Sequence, residues 1–238
     1  MAVHATAQVH ASAVIEPGAE IGEGCRIGPF SLIGPEVRLG PGVEVKSHAV
    51  VTGDTTIGEG TVIFPFACLG EIPQDLKFRG ERTRLVIGAR NRIREHVTMN
   101  TGTGAGGGIT PVGDDGLFMA GAHVAHDCRI GNGVILVNNV ALAGHVVIED
   151  EAIVGGLSGV HQFVRIGRGA MIGALSMVTA DVIPFGLVTG PRGTLEGLNL
   201  VGLKRRGVDR EEMRGLRELL DDLSQGSFRD RAREVAAG

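Results

Sequence analysis

From Val3 to Leu69 every sixth residue is aliphatic, twelve positions without a miss: Val3, Val9, Ile15, Ile21, Ile27, Ile33, Leu39, Val45, Val51, Ile57, Ile63 and Leu69. The register returns at Ile87, Ile93 and Met99, and a second tract runs from Val112 through Phe118, Val124, Ile130, Leu136, Leu142, Ile148, Val154, Val160, Ile166 and Ile172 to Val178. A helix would spread such positions around all its faces, and strand alternation has period two, so neither accounts for an unbroken six. A chain that turns a corner every six residues does, with each aliphatic side chain pointing inward and short strands stacked coil on coil. The spacing predicts an all-β solenoid: a parallel β-helix of triangular section with three hexapeptides, eighteen residues, per coil.

Glycine follows many of the inward positions, as at Gly22, Gly28, Gly34, Gly58, Gly88, Gly131, Gly167 and Gly173. The hexads resemble those of the hexapeptide-repeat acyltransferases, a resemblance that implies a left-handed coil, against the usual right-handed crossover. Composition agrees with a core of stacked aliphatics. The chain of 238 residues has no Trp or Tyr, 8 Phe and 39 Gly, so no aromatic anchors are available for an irregular interior.

A formal charge of −4 argues against a general nucleic-acid binder. Cys25, Cys68 and Cys128 are an odd number without a CxxC pair, which argues against a disulfide framework or zinc ribbon and fits a reducing compartment. The opening MAVHATAQVH has neither a basic nor an apolar leader region, and no apolar run approaches a membrane span. The expectation is a cytoplasmic chain with no membrane insertion.

Two stretches break the hexads, 71 to 84 (EIPQDLKFRGERTR) and 101 to 111 (TGTGAGGGITP). Both are expected to protrude as loops from one face, the second being Gly-rich enough to be mobile. The hexads stop after Val178, so the β-helix is assigned to 1 to 184 and a small α-helical cap to 185 to 238. In the cap, GTLEGLNLVGLKRRG reads as a short helix and Asp209 to Glu212 as a capping box, with Met213, Leu216, Leu220 and Leu223 at helical spacing. Gly226 and Ser227 to Asp230 read as a stop and a second helical start.

The stretch HVAHDC, 123 to 128, places two histidines and an acid together. Counted in coils of eighteen, His126, His145 and His161 follow inward residues of one phase, and three imidazoles are expected to rise along one prism edge. One edge cannot enclose a substrate, so a cyclic homotrimer with this ridge in an intersubunit cleft is expected. Three readings fit His126 on its residues alone. It suits a general base oriented by Asp127, a zinc ligand joined by two further histidines, or a solvated edge side chain.

HVAHDC, LAGHV at 142 to 146, VHQF at 160 to 163, GLNLVGLKRRG at 197 to 207 and PQDLKF at 73 to 78 together resemble the UDP-N-acetylglucosamine acyltransferases, which begin lipid A synthesis. The resemblance spans nearly the whole chain. It implies transfer of a 3-hydroxyacyl group from acyl carrier protein to the 3-position of UDP-N-acetylglucosamine, without metal or other cofactor. His126 would be the general base, Asp127 its polar neighbour, and the Gly144 N–H the oxyanion donor. His123, His145, His161 and Gln162 would line the groove, while Gln74, Asp75 and Lys77 would reach it from a neighbouring subunit. Asn199, Arg205 and Arg206 would hold the nucleotide and its phosphates.

The resemblance places the position that sets acyl length at about Gly173 and Ala174, and the Ala174 methyl is expected to favour a shorter donor. Two departures from the family pattern, Asn100-Thr101 and Val201, are expected to alter contacts to the sugar nucleotide. They leave a 3-amino acceptor open beside the 3-hydroxyl. A zinc-dependent γ-type carbonic anhydrase and a non-catalytic β-helix scaffold are the alternatives from other classes. Arg210, Arg214 and Arg217, at i, i+4 and i+7, read as a solvated helix face before a carrier-docking one.

Overall fold

The computed structural model describes residues 2 to 191, 198 to 205 and 207 to 224. The chain divides into two compact units, Met1–Pro191 and Arg192–Gly238. The first is a left-handed parallel β-helix whose strands form three all-parallel sheets of nine, ten and nine strands. As far as Met177–Val178, strands pair with the third one along, as in Glu20↔Arg38 and Ile135↔Ile153, which is the eighteen-residue coil.

Most strands are two residues long, one out and one in. The inward side chains, among them Ile33, Ile57, Ile63, Leu69, Leu85 and Ile93, are wholly buried. At about 1.5–3 kcal/mol for each fully buried aliphatic side chain, this column is the main stabilising element. The first coil has a neighbour on one side only, and there Val3 and Val9, expected to point inward, are 38% and 39% exposed.

Each hexapeptide ends in a corner, and many corners hold a non-glycine residue at positive φ, between 57° and 67°. Such residues cost about 1 kcal/mol each. The conformation aims their amides along the prism axis at the previous coil, as in His48 N–H to Pro29 O at 3.0 Å and His145 N–H to His126 O at 3.0 Å. Corner side chains therefore stack in columns. Phe30, His48, Phe66 and His96 form one, with successive ring centroids 5.1 to 5.2 Å apart.

Both insertions leave the same sheet. The first lies between the strands Cys68–Glu71 and Arg84–Ile87, the second between Thr98–Asn100 and Ile109–Val112. Strand pairing thus claims 71, 84 and 109 to 111 from the stretches read as loops. The register slips between Leu69 and Glu71, and Gly70 sits in that bulge at φ 85°. A Cβ there would lie 2.0 Å from Thr52 O and 2.2 Å from Thr55 Oγ1. Gly70→Ala is expected to cost about 3 kcal/mol or more, read as a lower denaturant midpoint.

Parallel pairing also continues past residue 184, where Leu187–Val188 joins Met171–Ile172. In the second unit, Asn199 caps α1 (Leu200–Arg205) by accepting the Gly202 amide at 2.9 Å. Asp209 caps α2 (Arg210–Ser224) by accepting the Glu211 and Glu212 amides at 2.9 and 2.8 Å. The second helical start, at 226 to 230, lies outside the described residues. No described helix is long and apolar enough to cross a membrane.

Candidate active site

Three consecutive strands, His123–Val124, Ala141–Leu142 and Gly159–Val160, stack in register. Three residues beyond each inward side chain comes a corner, held by Asp127, His145 and Phe163, all at positive φ. One residue before the corner stand His126, Gly144 and Gln162. Gly144 lacks a side chain, and the His126 ring occupies that space: a Cβ on Gly144 would lie 2.5 Å from Cε1 and 2.6 Å from Nε2. The ring meets His145 edge-on, with centroids 5.1 Å apart, and His145 stacks on Phe163 at 4.6 Å.

The expected ladder of three imidazoles is therefore two imidazoles and a phenyl. His161 follows its inward residue by one position and leaves the coil before the corner is turned. It is exposed, with Nδ1 3.3 Å from the Gln162 carbonyl oxygen. Gln162 is exposed as well. Subtracting eighteen from 163 gives 145 and from 145 gives 127, so the Asp127, His145, Phe163 column could have been found from the sequence.

His126 and Asp127 are buried, 6% and 4% exposed. His126 Nδ1 lies 2.8 Å from Asp127 Oδ2, and His145 Nε2 is 3.8 Å from the same oxygen. Thr103, from the second insertion, donates its amide to Oδ1 at 2.9 Å and approaches Oδ2 with its hydroxyl at 2.6 Å. The Asp127 amide donates to Thr110 Oγ1 at 2.8 Å. The Gly-rich stretch is thus a roof closed over the carboxylate, where a free surface loop was expected. Gly102 and Gly106 are required by that approach: a Cβ on Gly106 would fall 2.1 Å from Asp127 Cγ. Sequence reasoning missed Thr103, whose partner is 24 residues away.

Burial, and after it electrostatic interaction with the neighbouring His126, pushes the His123 imidazole below its ordinary value. Its Nδ1 lies 2.7 Å from Thr98 Oγ1. Burial also raises the Cys128 thiol to about 12, leaving it an inert donor to Ala143 O at 3.1 Å. The Gly144 amide makes no hydrogen bond to any described residue of the chain.

In the first insertion Asp75 Oδ1 accepts the Lys77 amide at 2.9 Å, and Gln74 and Lys77 are exposed. Among the described residues none of these three bonds to the His126 cluster. Between Gln74 and Lys77, Leu76 is 97% exposed. One departure from the family pattern falls at Asn100-Thr101. Both residues are buried at the root of the insertions, Asn100 donating to Ile72 O at 3.1 Å and Thr101 sharing a hydrogen bond with Thr83 at 3.0 Å. Val201 is exposed on α1.

Gly173 is a close-approach position, a Cβ there lying 3.1 Å from Val188 O, whereas Ala174 is exposed one coil beyond Gly156. Arg205 ends α1 and is exposed, and the Asn199 side-chain oxygen is engaged in its cap. Arg206 lies outside the described residues.

Relatives named acyl-(acyl-carrier-protein)–UDP-N-acetylglucosamine O-acyltransferase are similar to this chain. That of Paracoccus denitrificans is 78% identical over 175 residues, 74% of this chain and 67% of the relative. That of Sinorhizobium fredii is 52% identical over 195 residues, 82% of this chain and 72% of the relative. The chain belongs to the UDP-N-acetylglucosamine O-acyltransferase family. The family model described as Udp N-acetylglucosamine O-acyltransferase, Domain 2, matches residues 181–237, and the bacterial transferase hexapeptide model matches 3–35 and 18–53. Among solved structures, the UDP-N-acetylglucosamine acyltransferase of Campylobacter jejuni superposes with a TM-score of 0.74 at 40% identity, covering 97% of this chain and 90% of that one. The Arabidopsis acyltransferase superposes with a TM-score of 0.67 at 36% identity, covering 95% and 88%.

Proposed function

We propose that this chain transfers a 3-hydroxyacyl group from acyl carrier protein to the 3-oxygen of UDP-N-acetylglucosamine, the first step of lipid A biosynthesis, and does so in the cytoplasm. The observation that carries the reading is the buried His126–Asp127 pair, roofed by Thr103 and set against Gly144. With Nδ1 directed at Asp127, His126 presents Nε2 to the acceptor hydroxyl. Nε2 takes the hydroxyl proton as the sugar oxygen attacks the thioester carbonyl carbon. The Gly144 N–H, unused by the chain's own ladder, donates to the carbonyl oxygen as it becomes negative. Collapse breaks the carbon–sulfur bond, and the departing thiolate recovers the proton from the imidazolium.

The second wall is a neighbouring copy in a homotrimer. Phe163 is 69% exposed at the end of the site column and Leu76 stands free on the first insertion, an arrangement suited to burial against another subunit. Gln74, Asp75 and Lys77 would then meet the sugar from the neighbour. His123, His145, His161 and Gln162 would line the groove, with Asn199, Arg205 and Arg206 at the nucleotide. Because Asn100 and Thr101 are buried at the insertion roots, they give no reason to prefer a 3-amino acceptor. The zinc reading called for three histidines, and the described cluster that could hold a metal is His126, Asp127 and His145, without His161.

The test is to mix purified protein, UDP-N-acetylglucosamine and a panel of 3-hydroxyacyl carriers and weigh the product. One added 3-hydroxyacyl group is expected, and no acylated sugar nucleotide from any donor would refute the reading. Acyl length is proposed to be set at Gly173 and Ala174. Ala174→Gly is expected to raise kcat/KM for a donor two methylenes longer by about tenfold or more relative to the native donor. An unchanged ratio would remove Ala174 from that role.

A further inference from the structure

The roof over Asp127 fixes the direction of each proton in the catalytic pair. The Gly106 amide donates to Thr103 Oγ1 at 3.1 Å, so that oxygen is an acceptor there and its own proton is free for the carboxylate 2.6 Å away. Asp127 Oδ1 meanwhile accepts the Thr103 amide. With the hydroxyl donating to Oδ2, the carboxylate is held as an acceptor, and His126 Nδ1 at 2.8 Å must carry the hydrogen. The lone pair is left on Nε2. The opposite tautomer would set an imidazole lone pair against a carboxylate oxygen.

The turn that carries Thr103 is itself anchored. The Gly104 amide donates to Glu81 Oε1 at 3.0 Å, and the Gly108 amide closes back on Thr103 O at 2.8 Å. Glycines at 102 and 106 allow the backbone to come this close, since a Cβ at either would contact the Asp127 carboxylate at 2.8 Å or less.

We propose that Thr103 is a positioning residue for the transfer: acting through Asp127, it selects the Nδ1–H tautomer of His126 and keeps the base pointed at the acceptor. It rests on the assignment of His126 as the base. Thr103 acts through its bonds to Asp127, and its hydroxyl is what matters, more than its bulk.

Thr103→Val keeps the shape and removes the hydroxyl, whereas Thr103→Ser keeps the hydroxyl. Thr103→Val is expected to lower kcat about 10- to 100-fold with KM within about twofold, and Thr103→Ser to stay within about threefold of wild type. Melting should be unchanged in both. In 15N-histidine-labelled protein the His126 ring is expected to show a protonated Nδ1 and a bare Nε2 in the wild type and in Thr103→Ser, and a mixture in Thr103→Val.

Full activity in Thr103→Val, or equal losses in the two variants, would overturn the proposal. So would a wild-type His126 protonated on Nε2 alone, a result that needs no variant to fold. An active His126→Ala would instead remove the base assignment, and the ring spectrum would still judge what Thr103 does.

Discussion

His126→Ala is expected to lower kcat about a thousandfold or more while leaving the melting temperature in place, measured as thiol release from the acyl carrier. Stability should hold because the ring is seated over Gly144 at a corner, outside the aliphatic column that carries the fold. The loss should be large because His126 alone combines burial, a bond to Asp127 and an unengaged Nε2. His161→Ala provides the contrast. That ring is exposed and outside the His126, His145, Phe163 column, so its loss should cost less than about tenfold, mainly in KM. Equal losses from the two substitutions would mean that the column does not define the reaction centre.

Gly144→Ala carries the second largest expected effect, although it adds only a methyl group. Its Cβ would fall 2.5 Å from His126 Cε1, closer than real Cβ contacts come, so the ring must move. It cannot simply tilt aside. His145 meets it edge-on at 5.1 Å, and any rotation sacrifices the bond between Nδ1 and Asp127. A displacement of about 1 Å at a reacting centre costs on the order of a hundredfold, and the expected fall in kcat is of that size. The backbone amide at 144 survives the substitution, so a loss accompanied by a displaced His126 in a crystal structure would trace to the ring. Wild-type activity in Gly144→Ala would show that the packing of His126 on this glycine is not needed for the reaction.

The fold was open to sequence reading because each inward side chain answers to one local rule. A corner every six residues leaves an aliphatic mark every six residues, and the mark persists through both tracts from Val3 to Val178. The site was open in part. The adjacency of His126 and Asp127 in the chain already puts them on one corner, whereas the direction of each side chain around that corner changes with every residue. Counting histidines without that phase placed His161 with the others, and counting in eighteens from Asp127 would have reached His145 and Phe163.

The role of the second insertion was not open to such a reading. Gly102 and Gly106 look like flexibility in one dimension, and only the folded coil brings Asp127 to the place where their side chains would be. Asn100 and Thr101 were hidden for the same reason, their partners Ile72 and Thr83 lying across the root of the other insertion.

The chemical linkage in the product tests the central claim most directly. Product made by the wild type from UDP-N-acetylglucosamine and a 3-hydroxyacyl carrier should fragment with the acyl group on the 3-oxygen of the sugar and release it in mild alkali, as an ester does. An acyl group that resists alkali as an amide, or a sugar nucleotide returned unchanged, would contradict it.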